Sequence, residues 1–388
     1  MYFSDMIKAT EVRELMNRYG AERVPFLFAV DFELEKGIFE LNPLESKRVL
    51  FRVGAVENYS NSQQSITNDL LDNTSFANTL TAYRLSTNIS TAELPAVDMN
   101  SINAPVTNFH SESSVQLDVL NNNYLELLKI KTPPDKTEYK KAYDTVMSGL
   151  MRGDTYLINL TTVTEISTPL TFEQIIANST SPYALCIPDN FVCFSPERFV
   201  RIEKGVITSC PMKGTIDATI PGAKEIILSD YKESCEHNTI TDLIRNDIGA
   251  VSKRVWVERF RYTENIATDR GNIIQVSSDI RGEIKDEFKE RLGDIIFSLL
   301  PAGSVSGAPK PSTLRLISKA EGSARGFYTG IFGYFDGETF DSAVLIRFIE
   351  KGPDGKLFYR SGGGITVNSN WKSEYEEVLK KVYLPVKL

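Results

Sequence analysis

A segment near the middle of the chain, residues 190–215, constrains the fold more than any other. Apolar and polar residues alternate on both sides of Glu203-Lys204-Gly205, a pattern typical of two antiparallel strands joined by a tight turn. If the strands pair about this turn, Glu197 lies opposite Pro211, and Lys213 is its diagonal neighbour at roughly 7–8 Å. The pattern therefore predicts that a carboxylic acid and an amine lie on one patch of a hairpin.

This glutamate and this lysine do not by themselves indicate a catalytic site. A pair of this kind on a hairpin is usually an exposed ion pair that contributes about 0–1 kcal/mol to stability. A functional interpretation of Glu197 and Lys213 therefore depends on the other motifs of the chain.

The composition argues against several classes of function. The chain has 388 residues, of which 41% are hydrophobic and 24% charged, and its net charge is −8. These values are typical of a globular protein of one or two domains. No basic surface is expected that would bind nucleic acid or an anionic membrane. An anionic small substrate would need local positive charge or a metal ion.

The cysteines and the N-terminus predict a cytoplasmic protein. The four cysteines show no CxxC spacing, and the chain has only two histidines, so free thiols are expected rather than a zinc site. The first residues lack the basic start and the apolar run of a signal peptide. No apolar run is long enough to span a bilayer.

The periodicity of the chain predicts an α+β fold, in which long antiparallel strands alternate with helices. Residues 25–32 are nearly all apolar, which predicts a buried strand. Residues 341–350 are expected to form one strand of the C-terminal part, and the run Val344-Leu345-Ile346-Arg347 within it predicts a buried arginine.

A change of composition divides the chain. Between about residues 60 and 124, Asn, Ser and Thr dominate, which is typical of a low-complexity insertion. Thr132-Pro133-Pro134 has the composition of a linker. We therefore expect an N-terminal part at 1–131, which carries the insertion, and a second region at 132–388.

Eight short motifs follow one another between residues 195 and 377. They are Ser195-Pro196-Glu197, PMKGT at 211–215, ESCEHNTITDLIRNDIG at 233–249, PAGSVSGAPK at 301–310, RGFYTG at 325–330, LIR at 345–347, SGGGI at 361–365 and EYEE at 374–377. In this order they resemble the chorismate-utilising enzymes, namely component I of anthranilate synthase and of aminodeoxychorismate synthase, and the isochorismate and salicylate synthases. The resemblance implies two mainly antiparallel β-sheets packed face to face, with outer helices. Residues 1–131 would complete one sheet, and 132–388 would bind chorismate.

Lys213 indicates the branch of the family. Relatives that form anthranilate or isochorismate have alanine at this position, whereas aminodeoxychorismate synthases have a lysine nucleophile. The resemblance implies that the amine attacks C2 of chorismate, displaces the C4 hydroxyl and leaves when ammonia adds at C4. The amine must be neutral to attack, which requires desolvation or a neighbouring cation. Glu197 matches the general acid that protonates the departing hydroxyl.

The resemblance also implies a magnesium site. Glu236 and Glu377 match the family's Mg²⁺ ligands, and Glu374, one helical turn before Glu377, would hold a metal-bound water or hydroxyl. Magnesium takes few protein carboxylates and keeps places for water and substrate oxygens. The ion would bridge to the ring carboxylate of chorismate.

A further set of residues is expected to bind the substrate. Arg347 would pair with the pyruvyl carboxylate through its guanidinium fork, and Tyr328 would add a hydrogen bond to the same group. Backbone N–H groups could approach an anion closely at the glycines, although these could also mark a tight strand end. The complete set is Arg347, Tyr328, Gly362, Gly363, Gly364, Ser304 and Thr215.

Two positions depart from the family pattern. Leu157 stands where most relatives have glutamine, and Gln275 stands where many have histidine. The missing histidine agrees with an enzyme that retains the enolpyruvyl group. The two departures also leave open a weakened activity.

The resemblance implies an aminodeoxychorismate synthase component I, which makes 4-amino-4-deoxychorismate, a precursor of p-aminobenzoate in folate synthesis, from chorismate and ammonia. Ammonia would come from a separate glutamine amidotransferase subunit, and a separate lyase would finish the pathway. Two alternatives remain open, namely anthranilate synthase component I and a non-catalytic paralogue that binds chorismate or the glutaminase.

Overall fold

The computed structural model describes residues 6–59, 127–268 and 271–386. The insertion expected at about 60–124 therefore lies outside the described residues. Within them the chain forms two β-sheets with helices around them, and the strand pairs are antiparallel. The predicted α+β fold with two packed sheets is confirmed. None of the helices in the described part of the chain is long and apolar enough to cross a membrane.

The first sheet has ten strands among the described residues, numbered here in chain order. In spatial order they are β1 (Ile7–Lys8), β3 (Lys36–Leu41), β2 (Phe26–Val30), β16 (Ile331–Phe335), β17 (Phe340–Val344), β10 (Arg198–Glu203), β11 (Val206–Ser209), β14 (Gly271–Ile284) and β12 (Met212–Asp217), with β13 (Ser252–Thr268) paired to β14.

The second sheet has nine strands in the same part of the chain. In spatial order they are β15 (Gly307–Ala308), β7 (Leu157–Ser167), β19 (Leu357–Ile365), β18 (Phe348–Lys351), β9 (Phe191–Ser195), β8 (Tyr183–Ile187), β4 (Leu50–Val53) and β5 (Val56–Glu57), with β6 (Lys129–Thr132) paired to β7.

The helices cover the outer faces and the ends of the sheets. They are α1 (Ala9–Ala21), α2 (Lys136–Arg152), α3 (Phe172–Asn178), α4 (Ala223–Ser229), α5 (Tyr231–Val251), α6 (Leu292–Leu299), α7 (Gly303–Ser306), α8 (Lys310–Glu321) and α9 (Trp371–Lys380), with short 3₁₀ turns at Pro43–Glu45 and Asp286–Phe288.

Strand β2 shows why residues 25–32 are nearly all apolar. Phe26, Phe28 and Val30 pack in a core against α1 and α6, whereas Leu27 and Ala29 pack against strands of the second sheet. Successive side chains of a strand point to opposite faces, so a strand with a core on each side needs apolar residues throughout. The predicted buried strand is confirmed.

The N-terminal part contributes to both sheets. Strands β1, β2 and β3 lie in the first sheet, but β4 and β5 pair at an edge of the second. The expectation that residues 1–131 complete a single sheet is therefore wrong. Apolar alternation identifies a strand, but it does not say which of two sheets the strand joins.

The expected single strand at 341–350 is two strands in different sheets. β17 ends at Val344 in the first sheet and β18 begins at Phe348 in the second. Arg347 lies in the crossover between them, in a left-handed backbone conformation with φ of 54°. The apolar run had suggested that Arg347 lies within a strand. This part of the prediction is wrong.

The hairpin at 190–215 forms, but it ends earlier than expected. Arg201 of β10 pairs with Thr208 of β11, and from Met212 the chain pairs with β14 instead. Glu197 precedes β10, so the prediction that Glu197 pairs with Pro211 on this hairpin, with Lys213 as its diagonal neighbour, is wrong. The physical reason is the length of β14, whose edge accepts β11 and β12 in succession.

Candidate active site

Lys213 lies at an irregularity of the first sheet. Met212 pairs with Ser277 and Thr215 with Gln275, so the register of β12 against β14 shifts between them. Gly214, at the shift, has a φ of 83°, which glycine adopts without steric cost. A bulge of this kind turns a side chain away from its regular position. Lys213 is half-buried, and Thr215 is exposed.

His237 is a buried residue that the sequence analysis did not assign to the site. Its Nε2 lies 2.7 Å from Oγ of Ser278 on β14, and its ring lies close to the main chain of Lys213. Burial, together with the nearby charge of Arg261, lowers the pKa of His237 to about 4, so the imidazole is neutral at pH 7. His237 thus links α5 to the two strands that hold the bulge.

Glu197 lies in the turn between β9 and β10. Its main-chain N–H donates to Oγ of Ser195, and its carbonyl accepts from Val344 N–H of the neighbouring strand. Glu197, Pro211 and Ser304 line one cavity of the protein. The fold therefore brings together three of the motifs that are far apart in sequence.

Arg347 is a largely buried cation. Its Nε donates to the hydroxyl of Tyr383 at 3.3 Å, and among the described residues no carboxylate lies within ion-pair distance of it. The neighbouring aromatic hydroxyls belong to Tyr328, Tyr359 and Tyr383. A buried charge without a counter-ion is costly, so this arrangement favours an anionic ligand at Arg347.

Tyr328 lies in the loop before β16 and is buried. Its ring packs against Phe348, with centroids 5.9 Å apart. Burial raises the pKa of Tyr328, so the phenol remains a proton donor throughout the physiological range.

The glycines of β19 lie beside helix α9. Gly362, Gly363 and Gly364 pair with β7, but β18 pairs with β19 only as far as Arg360. A Cβ atom at Gly363 would lie 3.4 Å from Oε2 of Glu374 and 3.7 Å from Oε1 of Glu377. The absence of a side chain at Gly363 thus lets two carboxylates of α9 approach the strand.

Lys381 is a second residue that the sequence analysis missed. Its Nζ pairs with Glu377 at 2.6 Å and donates to the Gly362 carbonyl at 2.7 Å. Burial lowers the pKa of Lys381, and the charges of Arg347 and Lys213 act in the same direction. Since such interactions fade beyond about 10 Å, the three cations lie in one part of the molecule. The spacing of four residues from Glu377 was the available signal.

A sequence model of the chorismate binding enzymes matches residues 9–387. The chain belongs to the chorismate binding enzyme family. An uncharacterized PabA-like protein of Haemophilus influenzae is 42% identical over 373 residues, which cover 96% of each chain. A PabA-like protein of Pasteurella multocida is 52% identical over 256 residues, 66% of this chain and 79% of its own.

The solved structures of the family share the fold. The isochorismate synthase of Bacillus anthracis has a TM-score of 0.60 at 16% identity, covering 96% of this chain and 86% of its own. Anthranilate synthase component I of Streptococcus pneumoniae has a TM-score of 0.57 at 21% identity, covering 92% and 89%. The family match over residues 9–387, rather than these structures, supports the expectation of an enzyme that acts on chorismate.

The carboxylates expected to bind metal fit Mg²⁺ in part. Glu374 and Glu377 lie on either side of the Cβ position of Gly363, and carboxylate pairs of this kind suit Mg²⁺, which keeps several waters. Among the described residues no group of three or more Asp, Glu, His or Cys side chains is close enough to hold a metal ion. Glu236, on α5, therefore does not join the α9 pair in this structure.

The two departures from the pattern of the chorismate binding enzyme family lie close to site elements. Leu157 is buried on β7, opposite Ala308 of β15, and its Cδ1 lies 3.4 Å from the Cβ position of Gly364. Gln275 pairs with Thr215 across β12 and β14. Leu157 thus lies beside a glycine of β19, and Gln275 lies on the strand that pairs with β12.

Proposed function

We propose that this protein is an aminodeoxychorismate synthase component I, which converts chorismate and ammonia to 4-amino-4-deoxychorismate. The observation that carries the proposal is the position of Lys213 at a strand bulge, where its charge and that of Arg347 both act on Lys381. A nucleophilic amine and an arginine that both interact with one lysine suit a substrate with two carboxylates. A relative of that name from Bacillus subtilis is 30% identical over 259 residues, 63% of this chain and 54% of its own.

In this proposal Arg347 and Tyr328 bind the pyruvyl carboxylate, because Arg347 is partly buried and has no carboxylate partner among the described residues. Ser304 and Thr215 contact the ring, and the main chain at Gly362, Gly363 and Gly364 lies beside the ring carboxylate. A guanidinium suits this role since its N–H groups form two parallel bonds with a carboxylate.

Lys213 then forms a bond to C2 of chorismate through its neutral amine. The two conjugated ring double bonds both shift, the C4–O bond breaks, and Glu197 gives its proton to the departing hydroxyl, which leaves as water. Ammonia next attacks C4, the double bonds shift back and the C2–N bond to Lys213 breaks. The lysine and glutamate return to their starting states after proton exchange with solvent.

Glu374 and Glu377 would hold Mg²⁺ together with Glu236, which does not join them in this structure, and the ion would neutralise the ring carboxylate. Without the ion, Lys381 provides the positive charge next to Glu377. Ammonia would come from a separate glutamine amidotransferase subunit, and a separate lyase would convert the product to p-aminobenzoate.

Two other functions compete with this proposal. Anthranilate synthase component I is favoured by a relative of that name from Acetivibrio thermocellus, 37% identical over 196 residues, 48% of this chain and 38% of its own. A non-catalytic paralogue is favoured by Leu157 and Gln275. Lys213 argues against the first, and the presence of Glu197 together with the three metal-ligand glutamates argues against the second.

The products separate the three functions. The protein is incubated with chorismate, Mg²⁺ and ammonium at alkaline pH, with and without an added aminodeoxychorismate lyase. We expect 4-amino-4-deoxychorismate, and p-aminobenzoate only when the lyase is present. Direct release of pyruvate and anthranilate would instead identify an anthranilate synthase, and binding of chorismate without turnover would identify the paralogue.

Variants test the assigned roles. Lys213→Ala should abolish both turnover and the chorismate adduct seen by intact mass spectrometry, whereas Lys204→Ala, at the exposed hairpin turn, should keep both. Glu197→Gln should lower kcat by about 10²–10⁴-fold, the usual contribution of a general acid.

Glu236→Ala should remove activity together with its dependence on Mg²⁺. Full activity in EDTA would contradict the metal assignment.

A further inference from the structure

The C-terminal segment after α9 supplies the hydrogen-bond partner of Arg347. Nε of Arg347 donates to the Tyr383 hydroxyl at 3.3 Å, and the guanidinium carbon lies 5.4 Å from the centre of the Tyr383 ring. Tyr383 belongs to none of the helices or strands, and none of the eight sequence motifs includes it.

The segment that carries Tyr383 is anchored on both sides. Before it, Lys381 N–H donates to the Glu377 carbonyl and Val382 N–H to that of Leu379. After it, Thr180 N–H donates to the Pro385 carbonyl, and Val386 forms a β-bridge with Ser179. The side chains of Leu384 and Val386 are buried in a core of the second sheet.

Tyr359 fixes Tyr383 from a third side. The Tyr359 hydroxyl donates to the Tyr383 carbonyl at 3.2 Å, and the Tyr359 side chain is fully buried on β19. The Tyr383 main chain is thus held by α9, by the loop before β8 and by β19. A group held in this way can fix the orientation of a second group that it binds.

The position of the hydrogen bond decides which edge of the guanidinium is available. A carboxylate can bind an arginine side-on, through Nε and one Nη, or end-on, through the two Nη atoms. Because Nε of Arg347 donates to Tyr383, the side-on edge is occupied. The two Nη atoms remain, and they are at the end-on edge.

We propose that Tyr383 is a positioning residue that orients Arg347 for end-on binding of a carboxylate on the side arm of the substrate. The ligand class is a small cyclic acid that carries a second carboxylate on an ether arm. The inference rests on the proposed function in one respect, since it takes Arg347 as the group that binds this carboxylate. It adds to that function a residue outside the family motifs and a defined binding geometry.

The test uses Tyr383→Phe and two probe ligands that differ in one group. The first probe is a benzoate with a carboxymethyl ether at the meta position, and the second is the matching methyl ether. We expect calorimetry to show that Tyr383→Phe binds the first probe about tenfold more weakly than the native protein does. This is the size of effect typical of one hydrogen bond to a charged group. Binding of the second probe should be unchanged. In turnover, KM for chorismate should rise while kcat changes less than about twofold.

A matched control is Tyr143→Phe, which removes a tyrosine hydroxyl that donates to the Ser369 carbonyl. This variant should bind both probes as tightly as the native protein. Equal weakening of both probes by Tyr383→Phe would show a merely structural role and overturn the inference. Unchanged binding of the first probe would overturn it as well. The variant Arg347→Ala distinguishes a failure of the Tyr383 inference from a failure of the proposed function. If Arg347→Ala binds both probes as tightly as the native protein, the proposed role of Arg347 in binding the carboxylate is itself wrong.

Discussion

Two of the residues with a left-handed backbone conformation lie at the candidate site. Arg347 and Thr329 have φ values of 54° and 62°, a conformation that costs a residue with a Cβ roughly 1–2 kcal/mol. The two are neighbours, because Thr329 N–H donates to the Leu345 carbonyl and Leu345 N–H to that of Gly330. Paired main chain around the crossover thus holds Arg347, and Tyr328 next to Thr329, in fixed orientations.

Arg325 is a single residue that contacts three elements, namely α7, α8 and β7. It is 1% exposed, pairs with Glu321 at 2.7 Å and donates to the Val305 and Asn159 carbonyls. We expect Arg325→Ala to lower the free energy of unfolding by about 3–5 kcal/mol, because it leaves the Glu321 carboxylate buried and without its cation. Urea unfolding measures the loss. In the control Arg245→Ala, the pair with Asp242 is half exposed and a change below about 1 kcal/mol is expected. A loss of that small size at Arg325 would contradict the prediction.

The four thiols should differ in reactivity. Cys186 and Cys193 are fully buried, and Cys235 is exposed. Burial raises the pKa of Cys210 to about 11, so little of the reactive thiolate is present at pH 8. We expect iodoacetamide at pH 8 to label Cys235 alone in the native protein and all four thiols after unfolding, as measured by peptide mass spectrometry. Rapid labelling of native Cys210 at this pH would show that its environment is different.

At the scale of elements, irregular strands create the candidate site. The bulge in β12 displaces Lys213 from the regular ladder, and β19 extends beyond β18 so that Gly363 faces α9. A regular sheet would bury these positions between neighbouring strands. The site therefore depends on where pairing stops as much as on where it forms.

Two adjacent glycines of β19 should respond differently to a methyl group. A Cβ at Gly362 would lie 2.9 Å from the Leu160 carbonyl of β7, whereas at Gly363 its nearest neighbour is Glu374 Oε2 at 3.4 Å. We expect Gly362→Ala to cost about 1–3 kcal/mol of stability, since the strands must separate. Gly363→Ala should change stability by less than about 1 kcal/mol but weaken the binding of Mn²⁺, used as a paramagnetic substitute for Mg²⁺.

Urea unfolding and electron paramagnetic resonance titration measure the two effects of these glycine variants. Gly249→Ala is the control, because its Cβ would meet no atom within 4 Å. If Gly363→Ala bound Mn²⁺ as tightly as the native protein, the carboxylate pair on α9 would not be the metal site.

At the scale of the whole molecule, the chain passes repeatedly between the two sheets. It crosses from β3 to β4, from β9 to β10 and from β17 to β18, and one core contains residues of both sheets, such as Ala29, Phe51 and Phe348. No contiguous piece of the described chain forms a sheet alone. Each sheet therefore contains strands from both of the regions expected at 1–131 and 132–388.

This interleaving predicts a single unfolding transition. Trp256 lies on β13 of the first sheet, and Trp371 begins α9 beside the second. In the variants Trp256→Phe and Trp371→Phe, the remaining tryptophan reports on one sheet at a time. We expect both fluorescence transitions in urea to coincide with the circular dichroism transition, as for one cooperative unit. Two separate midpoints would show that the sheets unfold independently.

Local patterns predicted the parts of the fold that local physics determines. The buried strand β2 follows from its run of apolar residues, and the turn at Glu203-Lys204-Gly205 follows from turn chemistry. The break at Arg347 could not be predicted, because residues 341–350 show the same apolar run whether they form one strand or two. His237 and Tyr383 gave little local signal, since their partners lie on other elements.

The amino-acid sequence by itself determined the fold class, the family and the kinds of chemical group available at the candidate site. Only the tertiary structure decided where the strands change sheets, that Lys381 lies beside Glu377 and Gly362, and that Tyr383 holds Arg347. The physical reason is that periodicity and turn preference act over a few residues, whereas strand register and ion pairing depend on which distant segments pack together.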